Sequence, residues 1–140
     1  MIFLDTSVLI AVAQVGHPHH EPSRDLWNYC SSADAAIGAH TLAEVYNILT
    51  SMPPGLRVSP RNAVIAIETF LKRASAIVLS AEEYLETLRT TAISGHAGGV
   101  IYDALLLACA RKIKANRIYT WNVRHFQMAA PDLKDRIVTP

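Results

Sequence analysis

The chain has 140 residues, near the common size of a single compact domain, with 51% hydrophobic and 18% charged residues, a composition that fills a core and argues against disorder. Its formal net charge of +1 points by itself to neither a nucleic-acid binder nor an enzyme of acidic substrates. The two cysteines, Cys30 and Cys109, have no metal-ligand spacing and form no disulfide framework, and Cys109 in its apolar run reads as a buried thiol. The apolar opening, residues 1–15, lacks a basic leader and is too short to span a bilayer. A cytoplasmic location with no membrane partner is the expectation.

Ile2-Phe3-Leu4 has the pattern of a strand buried on both faces. Asp5-Thr6-Ser7 then offers capping side chains to a helix over residues 8–13, and a second helix is expected over 21–31 after a turn at 16–20. Residues 35–39 read as a second strand. Thr41-Leu42-Ala43-Glu44 has capping-box form and starts a helix toward Ser51, which Pro53-Pro54-Gly55 ends. Ser59-Pro60 opens the next helix, to about Arg73, with proline at its favoured first position.

Residues 76–79 suit a third strand. Ser80-Ala81-Glu82-Glu83 repeats the capping box and opens a helix to about Ile93, and Gly95, Gly98 and Gly99 mark a break. Residues 100–114 are apolar nearly all round, which predicts a buried helix. A fourth strand is expected at 118–121 and a short fifth one at 136–139. Alternating strands and helices give an α/β layered fold around a mostly parallel sheet of four to five strands, in one domain over residues 1–140.

In such a sheet, ligands bind beyond the carboxyl ends of the strands. Asp5 falls where the first strand ends, although aspartate is also a favoured helix cap. Glu44 follows the second strand and doubles as the capping-box glutamate of Thr41. Asp103 sits near the start of an apolar helix, where a carboxylate is costly unless a cation compensates it. Asn122 follows the fourth strand and otherwise reads as opening a turn through Phe126. If Asp5, Glu44 and Asp103 converge, two charges about 4 Å apart repel by roughly 4 kcal/mol at an effective dielectric constant of about 20. Such a cluster either holds a proton or binds a hard cation, Mg²⁺ or Mn²⁺, which activates water against a phosphodiester.

No acid occurs between Asp103 and Asp132, while Arg111, Lys112, Lys114, Arg117 and Arg124 all do. The first three read as a solvated helix end; Arg124 and His125, directly after Asn122, read as substrate-facing. Tyr102 and Trp121 have rings that stack on unpaired bases, but both lie in apolar runs and are expected in the core. His17, His19 and His20 read as loop histidines rather than a zinc site. His40 and His96 belong to no motif.

Leu4-Asp5-Thr6-Ser7, Ala43-Glu44-Val45, Tyr102-Asp103-Ala104 and Thr120-Trp121-Asn122-Val123-Arg124-His125-Phe126 occur in the order found in PIN domains. Over essentially its whole length the chain resembles that family, and its size most resembles VapC, the toxin half of VapBC toxin–antitoxin pairs. The resemblance implies a three-layer α/β/α fold and a metal-dependent endoribonuclease acting on RNA. By position, Asp5 and Asp103 would be the main ligands of Mg²⁺ or Mn²⁺, with Glu44 binding directly or through water. Thr6 would support the site and Thr120 would hydrogen-bond the acids. Asn122 stands where many relatives carry an acid, so one well-bound ion is expected, a second arriving with substrate.

The same likeness implies a homodimer and a VapB-like antitoxin as partners. The helices over 41–51 and 59–73 carry more apolar residues than one buried stripe needs, which suits an interface. Two other readings compete. A phosphotransferase with Asp5 as nucleophile would expect a second aspartate two residues on, where this chain has Ser7. A PIN-fold interaction module with weak or no catalysis is suggested by Asn122 alone.

Overall fold

The computed structural model describes residues 1–140. Five strands, β1 Ile2–Leu4, β2 Ala35–Gly38, β3 Ser75–Ile77, β4 Arg117–Tyr119 and β5 Ile137–Val138, form one sheet in the order β3-β2-β1-β4-β5. Every pairing is parallel. Each strand therefore returns through helices: α1 Thr6–Ala13 and α2 His20–Tyr29 after β1, and α3 Ala39–Ser51 and α4 Pro60–Leu71 after β2. Helices α5 Ala81–Ile93 and α6 Val100–Lys112 follow β3, and α7 Val123–Ala129 with a 3₁₀ turn at Pro131–Arg136 follows β4. No helix is long and apolar enough to cross a membrane.

Successive side chains of a strand point to opposite faces, and β1 divides its residues accordingly. Phe3 joins the core of Leu106, Leu107, Ile118, Phe126 and Ile137 on one side. Leu4 joins Val8, Leu9, Ile37, Val45, Leu49, Trp27 and Phe70 on the other. These two cores lie between the sheet and the helices on either face, giving a three-layer α/β/α arrangement with β1 at its centre.

Several boundaries differ from the sequence expectation for local reasons. Strand β4 ends at Tyr119, not Trp121, because the Thr120 hydroxyl turns to donate to Asp5 and the Trp121 amide bonds to Ser7 Oγ. A full helix, α7, replaces the expected turn after Asn122. The capping box expected at Thr41 is absent: α3 begins at Ala39, directly off β2, and its cap position is Gly38 with no side-chain bond. Thr41 is instead fully buried. The helix starts at Ser59 and Ser80 fare differently. Ser59 accepts from the Asn62 amide ahead of Pro60, and Ser80 and Glu83 cap α5 reciprocally. Helix α6 is buried only from Leu105 onward, since its first turn, Val100 to Ala104, meets solvent.

Gly38 is needed for space rather than for its backbone angles, its φ being −73°. A Cβ there would stand 2.7 Å from Leu106 Cδ2, and Leu106 is itself buried at 2% exposure, so it has nowhere to swing. Gly38→Val is expected to lower the unfolding free energy by about 1–3 kcal/mol through overpacking, measured by urea denaturation.

Candidate active site

The site is assembled at the carboxyl edge of the sheet. Asp5 leaves β1 and occupies the cap position of α1, but its side chain makes no capping bond. It is 3% exposed, and its Oδ2 accepts from Thr120 Oγ1 at 2.7 Å and Ser7 Oγ at 2.6 Å. Burial raises the pKa of Asp5, and the Ser7 and Thr120 hydroxyls pull it back down. Thr120 passes the constraint on, since its Oγ1 accepts from the Asn122 amide at 2.9 Å. Ser7 does the same, accepting from the Trp121 amide at 3.0 Å. The central strand, its neighbour β4 and the start of α7 are thereby tied to one carboxylate.

Glu44 projects from the second turn of α3. Its Oε2 accepts from Thr6 Oγ1, so the glutamate bridges α3 to α1 instead of closing a cap on Thr41. Thr6 Oγ1 also lies 3.3 Å from Thr41 Oγ1. The other carboxylate oxygen of Glu44, Oε1, lies 3.3 Å from His40 Nε2. Asp103, in the first turn of α6, is the third member. Its pKa is raised to about 6, first by burial, then by the charge of Asp5, with Glu44 adding to the effect and His125 opposing it. Asp103 therefore lies within electrostatic reach of both Asp5 and Glu44.

As placed, no three histidine, cysteine, aspartate or glutamate side chains close on a common point that would chelate an ion. The donor chemistry nevertheless fits a hard divalent cation. It consists of carboxylate oxygens held by hydroxyl groups, with no thiolate among them. The burial that raises Asp5 and Asp103 is a cost that a cation would remove.

Asn122 caps α7 and is exposed, its side chain making no hydrogen bond to the protein. Arg124 and His125 are exposed, and together with Asn122 they line a cleft. Asp103 and His125 share a second cleft with His96. Arg124 takes part in no salt bridge, whereas Arg111 pairs with Asp132 at 2.6 Å and Lys112 with Glu83 at 2.7 Å. Arg111 and Lys112 thus serve the fold, as their place at a helix end suggests.

Sequence reasoning missed three neighbours of the acids. Ser7 carries no signal beyond standing two residues past Asp5. His40 had one, its i,i+4 spacing to Glu44, which puts both on one face of α3. Tyr102, expected in the core, is 50% exposed, because α6 turns Leu105 and Leu106 inward and leaves Tyr102 facing out. Trp121 is half-buried against the core as expected, its Nε1 donating to Ser23 Oγ at 2.9 Å. Of the three histidines expected in a loop, His20 instead begins α2, its Nδ1 lying 2.8 Å from the Ala11 carbonyl, and His19 stacks on Trp121.

The architecture and the acid-bearing edge are those of a PIN domain: that family's model matches residues 2–130, and the chain belongs to the family. It is 33% identical to Ribonuclease VapC27 of Mycobacterium tuberculosis over 113 residues, 80% of this chain and 78% of the relative. It is also 33% identical to Ribonuclease VapC40 of the same species over 106 residues, 76% of this chain and 75% of the relative. Among solved structures, M. tuberculosis VapC20, a sarcin–ricin loop cleaving toxin, superposes with a TM-score of 0.73 at 21% identity, covering 89% of this chain and 92% of that one. VapBC-1 from nontypeable Haemophilus influenzae gives a TM-score of 0.66 at 20% identity, covering 99% and 98%. At these identities the structural likeness establishes the fold.

Because the Asp103 pKa is raised in the folded state, its contribution to stability is full below pH 3.8 and is lost as pH rises through about 6. In chelator, the unfolding free energy of the native chain is expected to fall over that interval. Asp103→Asn should flatten this part of the profile, measured by denaturant titration at a series of pH values.

Proposed function

We propose that the chain is a metal-dependent endoribonuclease and the toxin of a VapBC-type toxin–antitoxin pair, acting in the cytoplasm. The observation that carries the reading is that Asp5, Glu44 and Asp103 all arrive at the carboxyl edge of a parallel sheet, with Asp103 close enough to feel the charges of the other two, in a chain whose curated relatives are ribonucleases. A phosphodiester brought to that edge meets three carboxylates. Their charge repels phosphate unless a cation intervenes. Mg²⁺ or Mn²⁺ bound by Asp5, Asp103 and Glu44 would supply that charge and lower the pKa of an attacking water.

The rest of the chemistry belongs to the protein's own groups. Thr120 and Ser7 fix the orientation of Asp5, and Thr6 fixes that of Glu44, by donating hydrogen bonds to their carboxylates. Asp103, partly buried and making no hydrogen bond, is the acid free to turn toward an ion or a substrate. Arg124, without an acidic partner, and His125 beside it are placed for the phosphates of the incoming chain. Asn122 contributes a neutral carbonyl where a fourth acid would bring charge, which suits one tightly held ion. This substitution is also the only support for a non-catalytic module.

Added chelator is expected to abolish cleavage of RNA by the purified chain. Asp5→Asn and Asp103→Asn should each lower the rate by more than about a hundredfold, read on gels of total RNA. Calorimetry is expected to detect Mn²⁺ binding that Asp5→Asn removes. Cleavage indifferent to chelator and to both substitutions would end the reading.

The partners proposed are a VapB-like antitoxin and a second copy of the chain. The first rests on fold neighbours determined as VapBC and FitAB assemblies. The second rests on α4, which leaves Val64, Ile65 and Leu71 exposed at 45%, 50% and 41%, an apolar face suited to an interface. The chain is expected to sediment as a dimer, and Ile65→Glu as a monomer; a native mass that stays monomeric at all concentrations removes the dimer.

A further inference from the structure

Two stacked aromatic pairs border the acids. On one side the Tyr102 ring lies against the His40 imidazole, with centroids 5.2 Å apart and planes 7° from parallel. On the other the Trp121 indole lies against His19, at 3.8 Å and 8°. Both are joined to the acidic machinery. Tyr102 precedes Asp103, and His40 Nε2 is 3.3 Å from Glu44 Oε1. The Trp121 amide donates to Ser7 Oγ, which in turn donates to Asp5.

The pairs also line open space. A cleft of about 380 Å³ is walled by His40, Glu44, Asn47, Ile48 and Tyr102. Another, of about 440 Å³, is walled by Ser7, His19, Ile48, Trp121 and Asn122. Ile48, one helical turn beyond Glu44 on α3, lines both clefts.

We propose that these pairs are stacking platforms for two nucleobases, one on each side of the scissile phosphate. This rests on the ribonuclease reading and deepens it by naming the rings that would hold the bases. A base already stacked within a duplex has no free face to offer, whereas a loop or single strand presents its bases splayed and ready to stack on aromatic rings. Tyr102 needs little ordering on binding, since His40 already holds its ring. Trp121 is pinned by its Nε1 bond to Ser23 Oγ. An aromatic side chain of an antitoxin could stack on one such ring, but His40 follows β2 and Trp121 follows β4, the two strands that flank β1 and its Asp5, and that placement matches a chain that crosses the edge.

The test uses single-stranded oligoribonucleotides carrying a fluorescent adenine analogue, bound in chelator to the full-length protein, and then cleavage kinetics with Mn²⁺. Tyr102 is half-exposed and His19 exposed, so Tyr102→Ala and His19→Ala leave the buried core intact. Native protein and Tyr102→Phe are expected to quench the analogue. Tyr102→Ala is expected to bind about tenfold more weakly, with KM raised more than kcat is lowered, and His19→Ala to weaken binding in the same direction. Alanine variants that match the native protein in quenching and KM overturn the proposal while the nuclease reading stands. So does a Tyr102→Ala loss confined to binding of the antitoxin. Quenching that depends on Tyr102, in a protein that cleaves no RNA, supports the platforms and removes the nuclease reading.

Discussion

The Asp5 carboxylate is the group around which the molecule is organised. A charge buried at 3% exposure on the central strand of a sheet is expensive, and the fold answers it with hydroxyls from two different elements, Ser7 of α1 and Thr120 at the end of β4. Those hydroxyls in turn hold the backbone of Trp121 and Asn122. Removing Asp5 would therefore loosen the junction of β1, β4 and α7.

Parallel topology explains why the other acids arrive at the same edge. All five strands share one direction, so every strand-to-helix junction opens on one side of the sheet. β1 delivers Asp5 and Thr6, β2 delivers His40 and Glu44 through the start of α3, and β4 delivers Thr120 and Asn122. Asp103 is the exception, carried in by the start of α6 rather than by a strand end. The short strands matter here: three-residue strands such as β1 and β4 leave little length over which the placement of these junctions can drift.

The layout of strands and helices was largely readable because strong local signals coincided with it: Pro60 after Ser59, the Ser80–Glu83 box, and the Gly95 and Gly98 break, where both glycines have positive φ. The acids were readable as residues, by their place after strands and by family likeness. Their pairings were not. Thr41-Leu42-Ala43-Glu44 satisfies the capping-box pattern, yet a helix that begins directly from a strand has its first turn set by the sheet, and Glu44 is then free to accept from Thr6 across to another helix. Tyr102 was misplaced for a related reason. Composition says that a helix start is apolar, but only the rotation of α6 against the sheet decides which of Ile101, Tyr102 and Leu105 meets solvent. Long-range hydroxyl-to-carboxylate bonds, such as Thr120 to Asp5 across 115 positions, leave no periodic trace in a sequence.

Helix α5 stands apart from this economy. None of its residues is fully buried; Tyr84 alone among them packs against the core, and the rest of what holds it is its own capping box and the exposed pair from Glu83 to Lys112 of α6. Exposed pairs are screened by added salt. The layer formed by α5 is therefore the one whose amides should open to solvent while the acid-bearing junctions stay closed, so the molecule has a face that can breathe or be reshaped by a neighbour without disturbing its chemistry.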